Sequence, residues 1–383
     1  MKKQMTKNTL LIQIVLFIIT VIATTIAGAE WMYGRWLFSG DYSLTQDELW
    51  NGLSFSIPFL LILSVHEMGH YVVARMNQIK VTLPYYIPMW LGFIPGMPSF
   101  GTMGAFIRIK AVIQSRREYF DVGVSGPIAG FIIALLVLWY GFSHLPPAEY
   151  IFEIHPEYEV YGLDYPDYVY EAEGMTFQLG ENLIFWFFKN FVADPTLLPH
   201  PNEMIHYPFI LAGYLALFFT ALNLLPIGQL DGGHVVFGLF GSKVAKRINQ
   251  VFYTLFLFYA GLGWISPDLL TDVSPKSVFT FITYVGIYIY FVYLALVSMI
   301  PVARDRWFFA VVLLSVQYSV TSFSALVGYD GWLLFVFLIG RFLGVYHPKA
   351  VDDKPLDEKR NAIGWVAILI FLLCFSPQPF SLG

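Results

Sequence analysis

The sequence predicts an all-α polytopic integral membrane protein with about eight to nine transmembrane helices. A small re-entrant or β-hairpin element is expected after the helix that carries residues 66–70. Three observations lead there. The 383 residues are 57% hydrophobic and only 13% charged, whereas a soluble chain carries about a quarter charged residues. The apolar residues gather into long runs, which suits a bilayer better than a globular core. Lysine and arginine segregate to one side of those runs.

The runs fall near residues 9–28, 53–74, 121–142, 207–226, 248–265, 277–300, 307–327, 331–346 and 362–376. The last two are short for a hydrocarbon core of about 30 Å. The opening MKKQMTKNTLLIQIVLFIITVIATTIAGA is similar to a secretory signal, but its apolar stretch is long enough to span and is read as a retained first helix. With the N-terminus on the cytoplasmic side, nineteen of the 22 basic residues fall inside, and Arg35, Lys189 and Lys276 fall outside. That asymmetry is the positive-inside pattern. The net charge of −5 adds nothing by itself, because the two sides of a membrane count separately. The single cysteine, Cys374, excludes an intrachain disulfide framework and a cysteine-rich metal site; a packing role is expected for it.

Two stretches depart from spanning helix. The outer segment at about 143–206 is acidic and rich in tyrosine, and includes the aromatic run LIFWFFKNFV. It reads as a small extramembrane cap with an interfacial helix, or as a gate or docking surface. The region 81–110 is apolar, yet Pro84, Pro88, Pro95 and Pro98 would each remove a helical backbone bond. A loop buried in protein is the allowed form of such a segment at membrane depth.

The chemistry concentrates at His66-Glu67-Met68-Gly69-His70, an H-E-x-x-H pattern. On a helix, residues i and i+4 share a face, so both imidazoles can reach one metal ion, and Glu67 is placed to act as a base. Coincidence is the competing reading, with two histidines hydrogen-bonded inside a bundle. Three ionisable residues in one turn of a spanning helix are expensive, and metal ligation is one of few offsets. A catalytic zinc takes three protein ligands. His144, His155, His200 and His206 lie on or near the opposite side by this topology, and His347 follows a late helix. The stretch FFTALNLLPIGQLDGGHVVF (218–237) places a broken helix, Asp231 and His234 near the side that His66 approaches.

H-E-M-G-H in a membrane helix together with N-L-L-P-I-G-Q-L-D-G-G-H resembles the site-2 proteases, the intramembrane zinc metalloproteases (peptidase M50-like). Asn223 to Gly232 match the family's N-x-x-P-x-x-x-L-D-G motif at every fixed position. GTMGAFIRIK (101–110) resembles the family's G-x-x-G loop, and SGPIAGF (125–131) its glycine-rich helix entry. The resemblance covers about 53–240. It implies one zinc ion per chain held by His66, His70 and Asp231, with Glu67 as general base and later acid. It implies for Asn223 a role holding the scissile carbonyl or its oxyanion; the alternative is a helix-terminating residue. His234 would either compete with Asp231 or orient it from the second shell.

A transmembrane substrate must be unwound to be cut, and an edge strand at Gly101, Gly104, Ala105 and Phe106 would compensate its freed backbone. Close helix packing is the other use of those glycines. The expected organisation is an N-terminal helix and outer loop (1–50), a catalytic core (51–240) and C-terminal helices (241–383). The implied activity is hydrolysis of transmembrane proteins near the cytoplasmic side. The implied substrates are membrane-tethered regulators already trimmed by another protease, in a bacterial inner membrane; no nucleic-acid partner is expected. A metal or proton-coupled transporter is the alternative, though no inverted repeat is found. A di-iron oxygenase would need more histidine pairs at ligand spacing.

Overall fold

Each apolar run becomes helix, the form in which a segment satisfies its own backbone in hydrocarbon. The computed structural model describes residues 7–38, 40, 43–94, 99–170, 177–270, 274–324 and 326–382. The principal helices are α1 (Lys7–Tyr33), α2 (Leu53–Met76), α3 (Arg116–Ser143), α4 (Leu183–Phe191), α5 (Pro208–Asn223), α6 (Asp231–Ala260), α7 (Pro275–Ala295), α8 (Ala303–Ser324), α9 (Trp332–Leu338) and α10 (Glu358–Cys374). Strands β1 (Tyr85–Met89), β2 (Gly101–Phe106), β3 (Phe177–Leu179) and β4 (Phe380–Leu382) form two antiparallel pairs, β1 with β2 and β3 with β4.

Among the described residues, five spans are long and apolar enough to cross a membrane: Asn8–Tyr33, Gln46–Met76, Arg116–Ser143, Pro275–Ala295 and Ala303–Ser324. The expected eight to nine are not reached by that measure, and the reasons are physical. The 16 residues of α5 rise only about 24 Å. Helix α6 carries Lys243, Lys246 and Arg247 and bends at Gly241, where φ is 72°. Helix α10 opens on Glu358, Lys359 and Arg360 before its apolar part.

The chain divides into two compact units, Met1–Ile113 with Asp121–Asn223 and Trp365–Gly383, and Gln114–Phe120 with Leu224–Gly364. In the first, α1 packs on α2 and on the β1–β2 hairpin, and three side chains on these faces find polar partners. Thr24 Oγ1 and Ser56 Oγ, both buried, stand 2.6 Å apart. Gln13 donates to Leu83 O at 2.6 Å, and Trp31 Nε1 donates to Ser99 O at 2.9 Å. An unpaired polar group in such surroundings would cost about 1–3 kcal/mol.

The proline-rich stretch after α2 is the hairpin; Pro88 lies in β1, while Pro95 and Pro98 lie outside the described residues. Tyr86 pairs with Ala105 and Pro88 with Thr102, so Met103 and Gly104 together oppose Ile87. That is a β-bulge, which bends a strand and re-aims its side chains. Between α3 and α5 the insert folds into short helical turns, β3 and α4. Helix α4 buries Phe185 and Phe188 and exposes Leu183, Trp186, Phe187 and Phe191, the one-sided pattern of an interfacial helix. Strand β4 pairs with β3, and Tyr214 of α5 donates to Pro379 O at 2.5 Å.

The second unit is built around α6. Tyr253 is fully buried, and its hydroxyl lies 2.8 Å from Ala295 O and 3.0 Å from Val336 O. Ala295 ends α7, so its carbonyl is one of the groups a helix terminus leaves without an intrahelical donor. Val336 precedes a π-helical turn, Ile339–Leu343. Tyr253→Phe removes the donor and keeps the ring, so it should lower stability by about 1–3 kcal/mol. Thermal unfolding of the chain in detergent measures this; an unchanged Tm would show that the hydroxyl does not tie these helices.

Candidate metal centre

Helix α2 buries His66, Glu67 and His70, which are 6%, 5% and 7% exposed. One helical turn stacks the two imidazoles, and their Nε2 atoms lie 3.1 Å apart. His70 Nδ1 is 2.7 Å from Val122 O. A carbonyl only accepts, so Nδ1 carries the proton and donates it, and the Nε2 lone pair turns towards His66. This is how metal-ligating histidines are oriented. Glu67 Oε1 is 4.0 Å from His66 Nε2. Asn223, the last residue of α5, brings Nδ2 to 3.4 Å from the same nitrogen.

The glycines of SGPIAG allow α3 to lie against this turn. A Cβ on Gly126 would stand 2.2 Å from His70 Nε2, and one on Gly130 would stand 3.0 Å from His66 Cβ. Small residues at such spacing let helix backbones approach closely. The result is a cavity of about 100 Å³ whose walls include His66, Glu67, Gly104, Ala105, Thr220 and Asn223. Gly104, with φ of +104°, sits in the β2 bulge, so the bulge brings the strand to the cavity wall. Of the residues expected to offer a strand edge, Gly104 and Ala105 line the cavity. Gly101 packs instead on α1, where a Cβ would meet Thr24 Cα at 2.4 Å. Phe106 stacks on Tyr85 at 5.6 Å.

Asp231 and His234 belong to the second unit. Asp231 opens α6, where a carboxylate interacts favourably with the helix N-terminus. The turn before it is so tight that a Cβ on Gly232 would fall 2.0 Å from Leu224 O, and one on Gly233 2.2 Å from Gly228 O. The L-D-G-G run therefore has a steric reason at both glycines. His234 Nδ1 lies 2.7 Å from His347 Nε2, and His347 Nδ1 lies 2.5 Å from Pro348 O. The carbonyl fixes the proton on His347 Nδ1, so His234 Nδ1–H donates to His347 Nε2. Burial, with His234 beside it, pushes the His347 imidazole down to about 3. Tyr119 stacks on His234 at 5.4 Å.

Val122 is beyond sequence reasoning because its part is played by a backbone carbonyl. Thr220 carries a weak signal, one helical turn before Asn223 in the same motif stretch. Gly126→Ala should drive a methyl into the His70 ring and lower stability by about 1–3 kcal/mol through overpacking. A thermal melt reads this, and a variant as stable as the parent would mean that α3 does not press on the turn.

The Peptidase family M50 profile matches residues 54–262. The probable chloroplastic zinc metalloprotease EGY2 of Oryza sativa subsp. indica is 25% identical over 243 residues, covering 59% of this chain and 39% of that protein. The probable chloroplastic zinc metalloprotease EGY1 of Arabidopsis thaliana is 28% identical over 204 residues, covering 53% of this chain and 32% of that protein. The match thus spans under two-fifths of the length of either relative. No solved structure matches the chain. The family profile covers more than half of the 383 residues, and the chain belongs to Peptidase family M50.

Proposed function

We propose that this chain is a zinc-dependent endopeptidase of the membrane that hydrolyses a peptide bond in a transmembrane segment near its cytoplasmic end. The observation that carries the reading is the buried H-E-x-x-H turn on an apolar helix, with both imidazole Nε2 atoms 3.1 Å apart beside a cavity. Ligand atoms on a tetrahedral zinc with bonds of 2.0–2.1 Å stand about 3.3 Å apart, so this spacing suits the metal. His66, His70 and Asp231 are the proposed ligands, the last from the L-D-G-G motif. When bound, zinc supplies a Lewis acid that polarises the scissile carbonyl and acidifies water.

The residues of the chain carry the remaining roles. Glu67 accepts the proton of the attacking water and then delivers it to the leaving amide nitrogen. Asn223 Nδ2 donates to the oxyanion that develops on the scissile carbonyl. His70 is held in one tautomer by Val122 O, which leaves its Nε2 lone pair free of the proton and able to serve as a ligand. The outer edge of β2 at Gly104 and Ala105 takes an unwound substrate segment as an added strand. An apolar wall that includes Phe59, Ile62 and Phe219 favours a hydrophobic chain. With the apolar runs crossing in alternation, the segregation of nineteen basic residues to one side supports the cytoplasmic placement. Membrane-tethered regulators, first trimmed by another protease, are the proposed substrates.

Glu67→Gln keeps the fold and the metal ligands but removes the base. It should retain about one zinc equivalent at the H-E-x-x-H centre and lose about 10²–10⁴-fold in cleavage of a model transmembrane substrate in detergent. Cleavage at the parental rate would end the proposal. Asn223→Ala should reduce kcat by about 10²–10³-fold with little change in KM; a variant that alters KM alone would assign Asn223 to binding.

A further inference from the structure

A second group of metal-ligating side chains lies at the other end of α5, where Asn223 is the last residue and His206 sits just before the first. Sixteen helical residues separate the two ends by about 24 Å. Three atoms face one another there. His155 Nε2 is 3.4 Å from His206 Nε2 and 3.8 Å from Glu203 Oε2, and His206 Nε2 is 3.2 Å from Glu203 Oε2. Glu203 and His206 lie three apart on a 3₁₀ helix, Pro201–His206, the spacing that eclipses side chains in that helix. His155 arrives from the outer insert, after the helical turn Ile151–Ile154.

The protons of this group are largely assigned by its outer partners. His206 Nδ1 is 2.9 Å from both Trp31 O and Met32 O. Carbonyls only accept, so Nδ1–H donates to them. His155 Nδ1 lies 3.2 Å from Glu157 Oε1, a carboxylate that favours the proton on Nδ1. Tyr170 OH donates to Glu203 Oε1. Neutral imidazoles so held present two nitrogen lone pairs and one carboxylate oxygen to a common point. Glu203 and His206 are 2% and 4% exposed, and Glu203 Oε2 accepts no hydrogen bond among the described residues. Three acceptors meeting without a cation repel one another, and a buried charge left so is costly.

We propose that His155, Glu203 and His206 bind a divalent cation of the zinc class, at a site separate from the H-E-x-x-H turn. The distances fit. A circle through atoms separated by 3.4, 3.8 and 3.2 Å has a radius of about 2.0 Å, the length of zinc–nitrogen and zinc–oxygen bonds. Two imidazoles with one carboxylate is a zinc donor set, and each donor has the outer hydrogen bond that such ligands use. The ion pins the insert, through His155, to the entry of α5. Through His206 it also pins the insert to the last turn of α1, whose Trp31 and Met32 carbonyls receive the Nδ1 proton.

The test separates this site from the first. The 383-residue chain carrying His66→Ala and His70→Ala is stripped with chelator in detergent and titrated with Zn²⁺ against a chromogenic competitor. One equivalent should still bind, and Co²⁺ in its place should give the visible absorption of a tetrahedral site. Adding His155→Ala should weaken that binding at least tenfold. Glu203→Gln, which keeps the volume and an acceptor for Tyr170, should do the same and guards against misfolding of a single variant. The proposal is overturned if the folded double variant binds no zinc. It is equally overturned if both further substitutions leave the affinity unchanged, which would make the cluster a protonated His206–Glu203 ion pair.

Discussion

Hydrocarbon offers no hydrogen-bond partner, and the architecture of the first unit follows from that single constraint. One turn of α2 carries two imidazoles and a carboxylate, all more than nine-tenths buried. Lipid cannot cover them, so protein must. Helix α3 does so by giving up side chains at Gly126 and Gly130, and the hairpin does so by bulging at Met103 and Gly104. Helix α5 adds Asn223. The polar pairs between α1, α2 and the hairpin obey the same constraint at lower stakes, as with Thr24 and Ser56. The centre is thus surrounded by elements whose sequences are poor in bulk or broken in regularity, features that look like defects until the turn they cover is seen.

Much of this was legible in the residues, and the legible parts share a cause. H-E-M-G-H works because helix geometry places i and i+4 together, so a five-residue string implies a three-dimensional fact. N-L-L-P-I-G-Q-L-D-G-G is likewise local: its proline ends a helix, and its two glycines are required by carbonyls within a few residues of them. The prolines after α2 argued against a helix for the same local reason, and a hairpin stands there. The nine apolar runs each become helix, and among the described residues five spans are long and apolar enough to cross a membrane. Lysines and arginines within α6 and at the start of α10 shorten the apolar length of those two helices.

What escaped the sequence depends on partners far apart in it. His155, Glu203 and His206 are spread over about fifty positions, and the residue that fixes His206 is the end of α1, 174 positions earlier. No periodicity links them. By sequence alone, His155 and His206 stand only on or near the side opposite the first centre. The role of Val122 was equally hidden, because a backbone carbonyl has no residue type to signal it. Most of the acidic, tyrosine-rich insert is described as short turns, stacked rings and one amphipathic helix, for which composition gives only a general expectation.

The β3–β4 pair has a consequence in time. Leu179 and Phe380 are register partners separated by about two hundred residues. At a synthesis rate of about 5–20 residues per second, some 10–40 s pass between the appearance of the two strands. Through that interval β3 is an edge without its mate, beside an exposed run of aromatic side chains. Strand β3 therefore cannot pair with β4 until the helices that lie between them in sequence have been made. Strand β4 acts as a latch on the first unit, closing only after the second unit's residues have been made.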